Sequence, residues 1–254
     1  MKKYTFLLMA ILIPILNFAQ LKNIKYTDGQ QALNGVSAIP KKSLKNKPGI
    51  LILPAWKGID THAKHSAERL SELGYCAFIA DIYGEGHYPK NNTEAGEQAG
   101  YYKKNRDQYQ QRIRLALNQL IRLGANPEKI VVMGYCFGGT GALEAARAQM
   151  PVLGAVSFHG GLAKDYAKPT QNIGTKILIC HGADDPYESQ EEILEFQKEM
   201  RDAKADWQMI YYANAVHAFT DPEAGNDNSK GAAYNEKADK RSWEHLLNFL
   251  NEVL

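Results

Sequence analysis

Cysteine is scarce in this chain, with three residues in 254. So few, and an odd number, exclude a disulfide scaffold. A dominant charge is missing too: 30 Lys and Arg stand against 28 Asp and Glu, for a formal net charge of +2. That balance implies no nucleic-acid partner, and the lysine-dense stretch from Lys41 to Lys47 reads as a solvated loop between early strands. There are no repeats and no low-complexity tracts. His159, His181 and His217, with Asp185, lack the close His-x-x-x-His spacing of zinc hydrolases, so neither a metal nor another cofactor is implied.

Long apolar runs are also absent, except at the start. Met1-Lys-Lys is a short basic region, Phe6 to Ile15 is apolar apart from Pro14, and Asn17-Phe-Ala-Gln20 offers a small residue for cleavage. This pattern predicts a signal peptide over residues 1–19, cut after Ala19, and export to the periplasm or beyond. The apolar run is shorter than the roughly 20 residues that span a bilayer. No stable membrane anchor is therefore expected, and no cysteine follows the cleavage point to carry a lipid. Residues 20–254 then suit one α/β domain with a sizeable core.

What is present is a run of strand, turn and helix signals with chemistry at the turns. Residues 24–40 read as a polar-edged antiparallel pair around Asp28-Gly-Gln and Asn34-Gly. Gly49 to Pro54, Gly74 to Ala80, Ile130 to Tyr135, Val152 to Phe158, Thr175 to His181 and Trp207 to Tyr212 read as strands. Thr61 to Leu73 reads as an amphipathic helix and Gln108 to Leu123 as a longer one ending at Gly124. Asn91 to Asp107 is polar, and reads either as part of a substrate cover or as a plain surface helix.

The sharpest signal is Ile130-Val-Val-Met-Gly-Tyr-Cys-Phe-Gly-Gly139, followed by the helix-like Thr140-Gly-Ala-Leu-Glu-Ala-Ala-Arg. Strand, glycine-flanked residue, helix is the pattern of a nucleophile elbow, with Cys136 at its tip. A helix N-terminus there favours a thiolate. A small buried cysteine, or a nucleotide-binding turn, fits those ten residues as well. Two downstream signals favour the elbow. Asp185 follows the strand ending at His181, and His217 follows the strand ending at Tyr212, which gives the nucleophile, acid, histidine order of α/β-hydrolases. The mostly parallel α/β sheet this implies brings all three to one sheet edge.

Gly134-Tyr-Cys-Phe-Gly-Gly139, His181-Gly-Ala-Asp-Asp-Pro186, His217-Ala-Phe219 and Ala80-Asp-Ile-Tyr-Gly84 together resemble the dienelactone hydrolase family of cysteine-nucleophile α/β-hydrolases, in order, from about Ile24 to the C-terminus. The resemblance implies the α/β-hydrolase fold and a triad of Cys136, Asp185 and His217, with Asp185 rather than Asp184 as the acid. It also implies an oxyanion hole from the backbone amides of Phe137 and Trp56, and a small-molecule ester or lactone substrate. Two departures stand out. Ala55 occupies the position of a glutamate that contacts the resting thiol in family members that cleave dienelactone. Glu85 and Asp221 stand near the places of the two arginines that hold the substrate carboxylate, so an anionic lactone would meet like charge.

Tyr135 and Trp56 flank the expected site as pocket walls or as core aromatics. His159, in His159-Gly-Gly161, reads as a substrate contact or as a satisfied structural histidine, and Glu85 as a pocket residue. Cys76 and Cys180 read as buried core residues, with pairing between them left open. A cysteine acyl-enzyme favours leaving groups as stable as an enolate, phenolate or thiolate, because a thiolate is itself readily expelled. The alternatives are an exported esterase for acylated sugars and a catalytically silent binding protein that keeps the elbow for folding.

Overall fold

The computed structural model describes residues 20–254, so the expected signal peptide over residues 1–19 lies outside the described residues. The chain forms one eight-stranded sheet. Its first hairpin pairs β1 (Leu21–Asp28) with β2 (Gln31–Ala38) across the tight turn at Gly29, whose φ of 57° suits glycine. The second turn signal, Asn34-Gly35, does not make a turn. It lies inside β2, where a Cβ on Gly35 would stand 2.3 Å from the Phe78 ring, so glycine is there for close packing.

The strands β3 (Gly49–Leu53), β4 (Cys76–Ile79), β5 (Ile130–Tyr135), β6 (Gly154–Phe158), β7 (Lys176–Gly182) and β8 (Trp207–Tyr212) are parallel to one another. Strand order is β1-β2-β4-β3-β5-β6-β7-β8. From β3 the chain first moves outward to β4, then crosses back to β5 on the other side. This reversal opens a crevice at the C-terminal ends of β3 and β5, where open α/β sheets bind ligands.

Helices cover both faces, which is why the inner strands are continuously apolar. Ile50 and Ile52 of β3 face α1 (Thr61–Glu72) and α6 (Glu236–Val253), joined by Leu70, Trp243 and Leu246. Leu51 and Leu53 face the other way, toward α3 (Arg106–Arg122) and α4 (Phe137–Arg147), with α5 (Gln190–Asp202) extending that layer through Ile193 and Phe196. The alternation follows from the two-residue period of a strand. Helix α2 (Asn92–Lys104) occupies most of the 91–107 segment, whose last two residues begin α3, and buries Ala95, Ala99 and Tyr102.

Cys76 on β4 and Cys180 on β7 are both buried and free. Three strands separate β4 from β7, about 19 Å at 4.8 Å per strand. A disulfide between them is geometrically impossible.

Candidate active site

The elbow is built from close contacts that only glycine permits. A Cβ on Gly134 would lie 2.1 Å from the Gly138 oxygen, and one on Gly138 would lie 2.0 Å from the Leu53 oxygen. These contacts let α4 start hard against the ends of β3 and β5. Cys136 takes the strained backbone that results, with φ 53° and ψ −116°, and serves as N-cap of α4. Behind the elbow, Tyr109 stacks on Phe137 at 4.5 Å, and its hydroxyl donates to the Phe137 oxygen at 2.9 Å.

His217 sits in the loop after β8, beside the sulfur. Its Nδ1–H donates to Asp185 Oδ2 at 2.8 Å, while Asp185 Oδ1 accepts from the Tyr187 amide at 2.9 Å. Asp185 is buried and Asp184 is exposed, so the pair is made with the expected aspartate. Burial alone would lower the His217 pKa, but hydrogen bonds to Asp185 and to Cys136 raise it to about 10. For Cys136, burial works to raise the pKa. The His217 hydrogen bond and charge, Lys103 and the Phe137 amide outweigh it and hold the thiol below its ordinary value. Both shifts favour a resting thiolate beside an imidazolium. This pair needs no carboxylate at Ala55, which lines the cavity as a small apolar wall.

One backbone donor is in contact with the sulfur. The Phe137 amide reaches Cys136 from the first turn of α4. The Ala55–Trp56 peptide is pinned by a bond from the Gly58 amide to the Ala55 oxygen at 3.0 Å, and the Trp56 oxygen accepts from Tyr83 Oη at 2.7 Å. The Trp56 N–H has no hydrogen-bond partner among the described residues.

A cavity of about 480 Å³ opens over Cys136 and His217. Tyr135 and His159 both line it, as does Asp221. Glu85 does not. Its amide donates to Ala32 at 2.8 Å, its carbonyl accepts from Gln31 at 2.9 Å, and its carboxylate turns to Lys25 at 3.9 Å, so the segment folds back onto the β1–β2 hairpin. Helix α2 stops short of the cavity. It braces the cavity from outside, where a Cβ on Gly96 would meet the Trp56 ring at 3.9 Å and the Tyr102 ring centre lies 6.4 Å from that of Phe137.

His159 is chiefly structural. It is buried at φ 39°, and its Nδ1 accepts from the Cys136 amide at 3.2 Å, an N–H shared with the Phe158 oxygen at 2.9 Å. Nε2 must then carry the proton and donate to Thr220 Oγ1 at 2.8 Å, which leaves the Thr220 hydroxyl to donate to His62 Nε2 at 3.2 Å. Burial lowers the pKa of both His159 and His62, so this chain of bonds is made by neutral rings. It ties the nucleophile turn to the loop that carries His217. His62 escapes sequence reasoning because it lies in the first turn of α1, beyond the Asp60 cap, where only topology brings it to the cavity.

The dienelactone hydrolase family profile matches residues 33–254. The fold and the site thus define an α/β-hydrolase, and the chain belongs to the dienelactone hydrolase family. It is 34% identical to the solved "Dienelactone Hydrolase-like" promiscuous phosphotriesterase P91 from metagenomic libraries. That match covers 93% of this chain and 99% of that one, with a TM-score of 0.87. A Bradyrhizobium protein described as "Probable 2-oxo-3-(5-oxofuran-2-ylidene)propanoate lactonase" is 26% identical over 80% of this chain and 83% of its own. An acylaminoacyl peptidase, 12% identical, shares the fold alone over 92% of this chain and 42% of its own, at a TM-score of 0.68.

Proposed function

We propose that this protein hydrolyses carboxylic esters or lactones through a thioester on Cys136. The observation that carries this reading is the alignment of Cys136, His217 and Asp185 at the strained elbow, with the Phe137 amide at the sulfur. The thiolate attacks the carbonyl carbon, and we assign the oxyanion to the Phe137 and Trp56 amides. As the tetrahedral intermediate collapses, the carbon–oxygen bond to the leaving group breaks and that oxygen takes the His217 proton. His217, now neutral, removes a proton from water, hydroxide adds to the thioester, and the carbon–sulfur bond breaks to return the thiolate.

Forward collapse competes with expulsion of the thiolate. The favoured substrates therefore carry enol, phenol or thiol leaving groups rather than simple alkoxides. Dienelactone itself is disfavoured, because Asp221 lines the cavity and no arginine does. The cavity volume suits a small molecule, within the range of ligand pockets. The N-terminal pattern supports a reaction outside the cytoplasm, with residues 1–19 removed on export.

Hydrolysis of para-nitrophenyl acetate by wild type, Cys136→Ala and Cys136→Ser tests the reading. The expected result is turnover in wild type and loss of at least about a hundredfold in Cys136→Ala. Equal rates in all three proteins would leave a binding protein with a silent elbow as the better account.

A further inference from the structure

The cavity's walls carry an uneven charge. Asp60, Asp221 and Glu223 line it, opposed by Lys57 alone among lysines and arginines. Their carboxylates interact with one another, since Asp221 and Glu223 both help to raise the pKa of Asp60, after the larger effect of burial. None of the three takes part in an ion pair among the described residues, although carboxylates elsewhere on the molecule are paired. Asp60 Oδ1 caps α1 through the Ala63 amide at 2.8 Å, and Asp221 Oδ1 accepts from the Glu223 amide at 2.9 Å. Those bonds use one oxygen of each and supply no opposite charge.

Aromatic rings supply a second, independent observation. Trp56 and Tyr187 line the same cavity, and Tyr187 is 57% exposed, with its ring perpendicular to that of His217 at 5.1 Å. Ring faces attract cations and repel anions. Near the place that the family resemblance gives to a carboxylate-binding arginine, this chain thus has Asp221, in a wall of carboxylates and aromatic rings that suits the opposite charge.

We propose that the preferred substrate is an ester carrying a cationic group, an amine or quaternary ammonium, seated against Asp60, Asp221 and Glu223 while its carbonyl lies over Cys136. The proposal rests on the ester-hydrolase reading and adds no covalent step to it. Two sources of the cation fit the chemistry, the acyl part or the leaving group, and substrate series separate them.

The test uses para-nitrophenyl esters of 4-(trimethylammonio)butanoate, its neutral carbon isostere and the glutarate half-ester. A second series uses acetates of phenols bearing the same three charges. The cationic member is expected to exceed the anionic one in kcat/KM by about tenfold or more in one of the two series, with the ratio shrinking as salt rises. In the double variant Asp221→Asn, Glu223→Gln, where Asn keeps the capping oxygen, that ratio should fall several-fold. A cation-to-anion ratio at or below one in both series, or a ratio unmoved in the double variant, overturns the proposal.

A second measurement keeps the test independent of turnover. Cys136 is modified with methanethiosulfonates carrying a trimethylammonium or a sulfonate group. The cationic reagent should react faster, and the double variant should narrow the difference. An unchanged rate ratio in the variant overturns the charge proposal even for a protein that hydrolyses none of the esters. Lack of turnover alone counts against the ester-hydrolase reading.

Discussion

At the scale of single residues, reactivity is set by which groups surround the sulfur. His217 draws Cys136 toward the thiolate, and Asp185 holds His217 charged at neutral pH. Alkylation of Cys136 by iodoacetamide should therefore reach half its maximal rate below the pH near 8.5 expected of a free thiol. In His217→Gln the midpoint should move up, because burial is then opposed only by the smaller effects of Lys103 and the Phe137 amide; a wild-type midpoint at or above 8.5 would contradict the ion pair. Replacing Asp185 with Asn should cost about 10²- to 10⁴-fold in kcat/KM, through loss of imidazole orientation and charge stabilisation.

His159 supplies a second residue-scale prediction. His159→Asn keeps an acceptor for the Cys136 amide and suits the left-handed backbone, whereas His159→Leu leaves buried Thr220 and the elbow amide less well satisfied. The Leu variant should lose roughly 1–3 kcal/mol by chemical denaturation, with the Asn variant retaining more of both stability and kcat. Equal losses in the two would assign His159 to simple packing.

At this scale the sequence was legible where chemistry sits at strand ends. Cys136, Asp185 and His217 each follow a strand, and a parallel sheet brings such positions to one edge. Glu85 was misplaced for a related reason. Its neighbourhood also follows a strand, but Asp81 binds the amides of Asn34 and Gly84 and the hydroxyl of Tyr88, and this turns the segment onto the hairpin. No pattern local to Glu85 reports a partner 47 residues upstream of Asp81 in that network.

At the scale of elements, the boundaries follow caps and close contacts. α1 ends at Glu72, one residue before the expected Leu73, which is the C-cap, and α3 begins at Arg106, two residues before the expected Gln108. A glycine pattern alone could not tell a turn from a close approach. Asn34-Gly35 looks like a hairpin turn, and only the Phe78 ring across β4 explains it. The elbow glycines show the same constraint with higher stakes. Gly138→Ala would drive its Cβ into the Leu53 and Pro54 carbonyls, backbone atoms that cannot step aside. A loss of about 3 kcal/mol or more, or failure to fold, is expected in a denaturation experiment, where wild-type stability would contradict the packing described. By contrast Asn235→Ala, which removes the α6 cap on the Ala238 amide at 3.1 Å and an exposed bond to the Asn214 oxygen at 2.9 Å, should cost about 1–2 kcal/mol.

At the scale of the whole molecule, the sheet reversal between β4 and β5 fixes where function sits. Every group proposed to act comes from a loop or helix start at the C-terminal ends of strands. Sequence patterning conveys that much, because strands buried on both faces are plainly apolar. It does not convey cavity shape, since Asp60, His62, Tyr187 and Glu223 meet only through the order of strands and the path of the His217 loop. The proposed export is tested at this scale as well. N-terminal sequencing of the protein recovered from its native compartment should read from Gln20, and a chain beginning at Met1 would contradict removal of the leader.

The central claim is covalent catalysis by Cys136, and trapping the acyl-enzyme tests it most directly. The protein is mixed with para-nitrophenyl acetate, quenched in acid within the first turnover, and digested for mass spectrometry. An acetyl group on Cys136, absent from Cys136→Ala and longer-lived in His217→Gln once formed, is the predicted result. Turnover with no acetylation of Cys136 at any quench time, and undiminished turnover in Cys136→Ala, would contradict it.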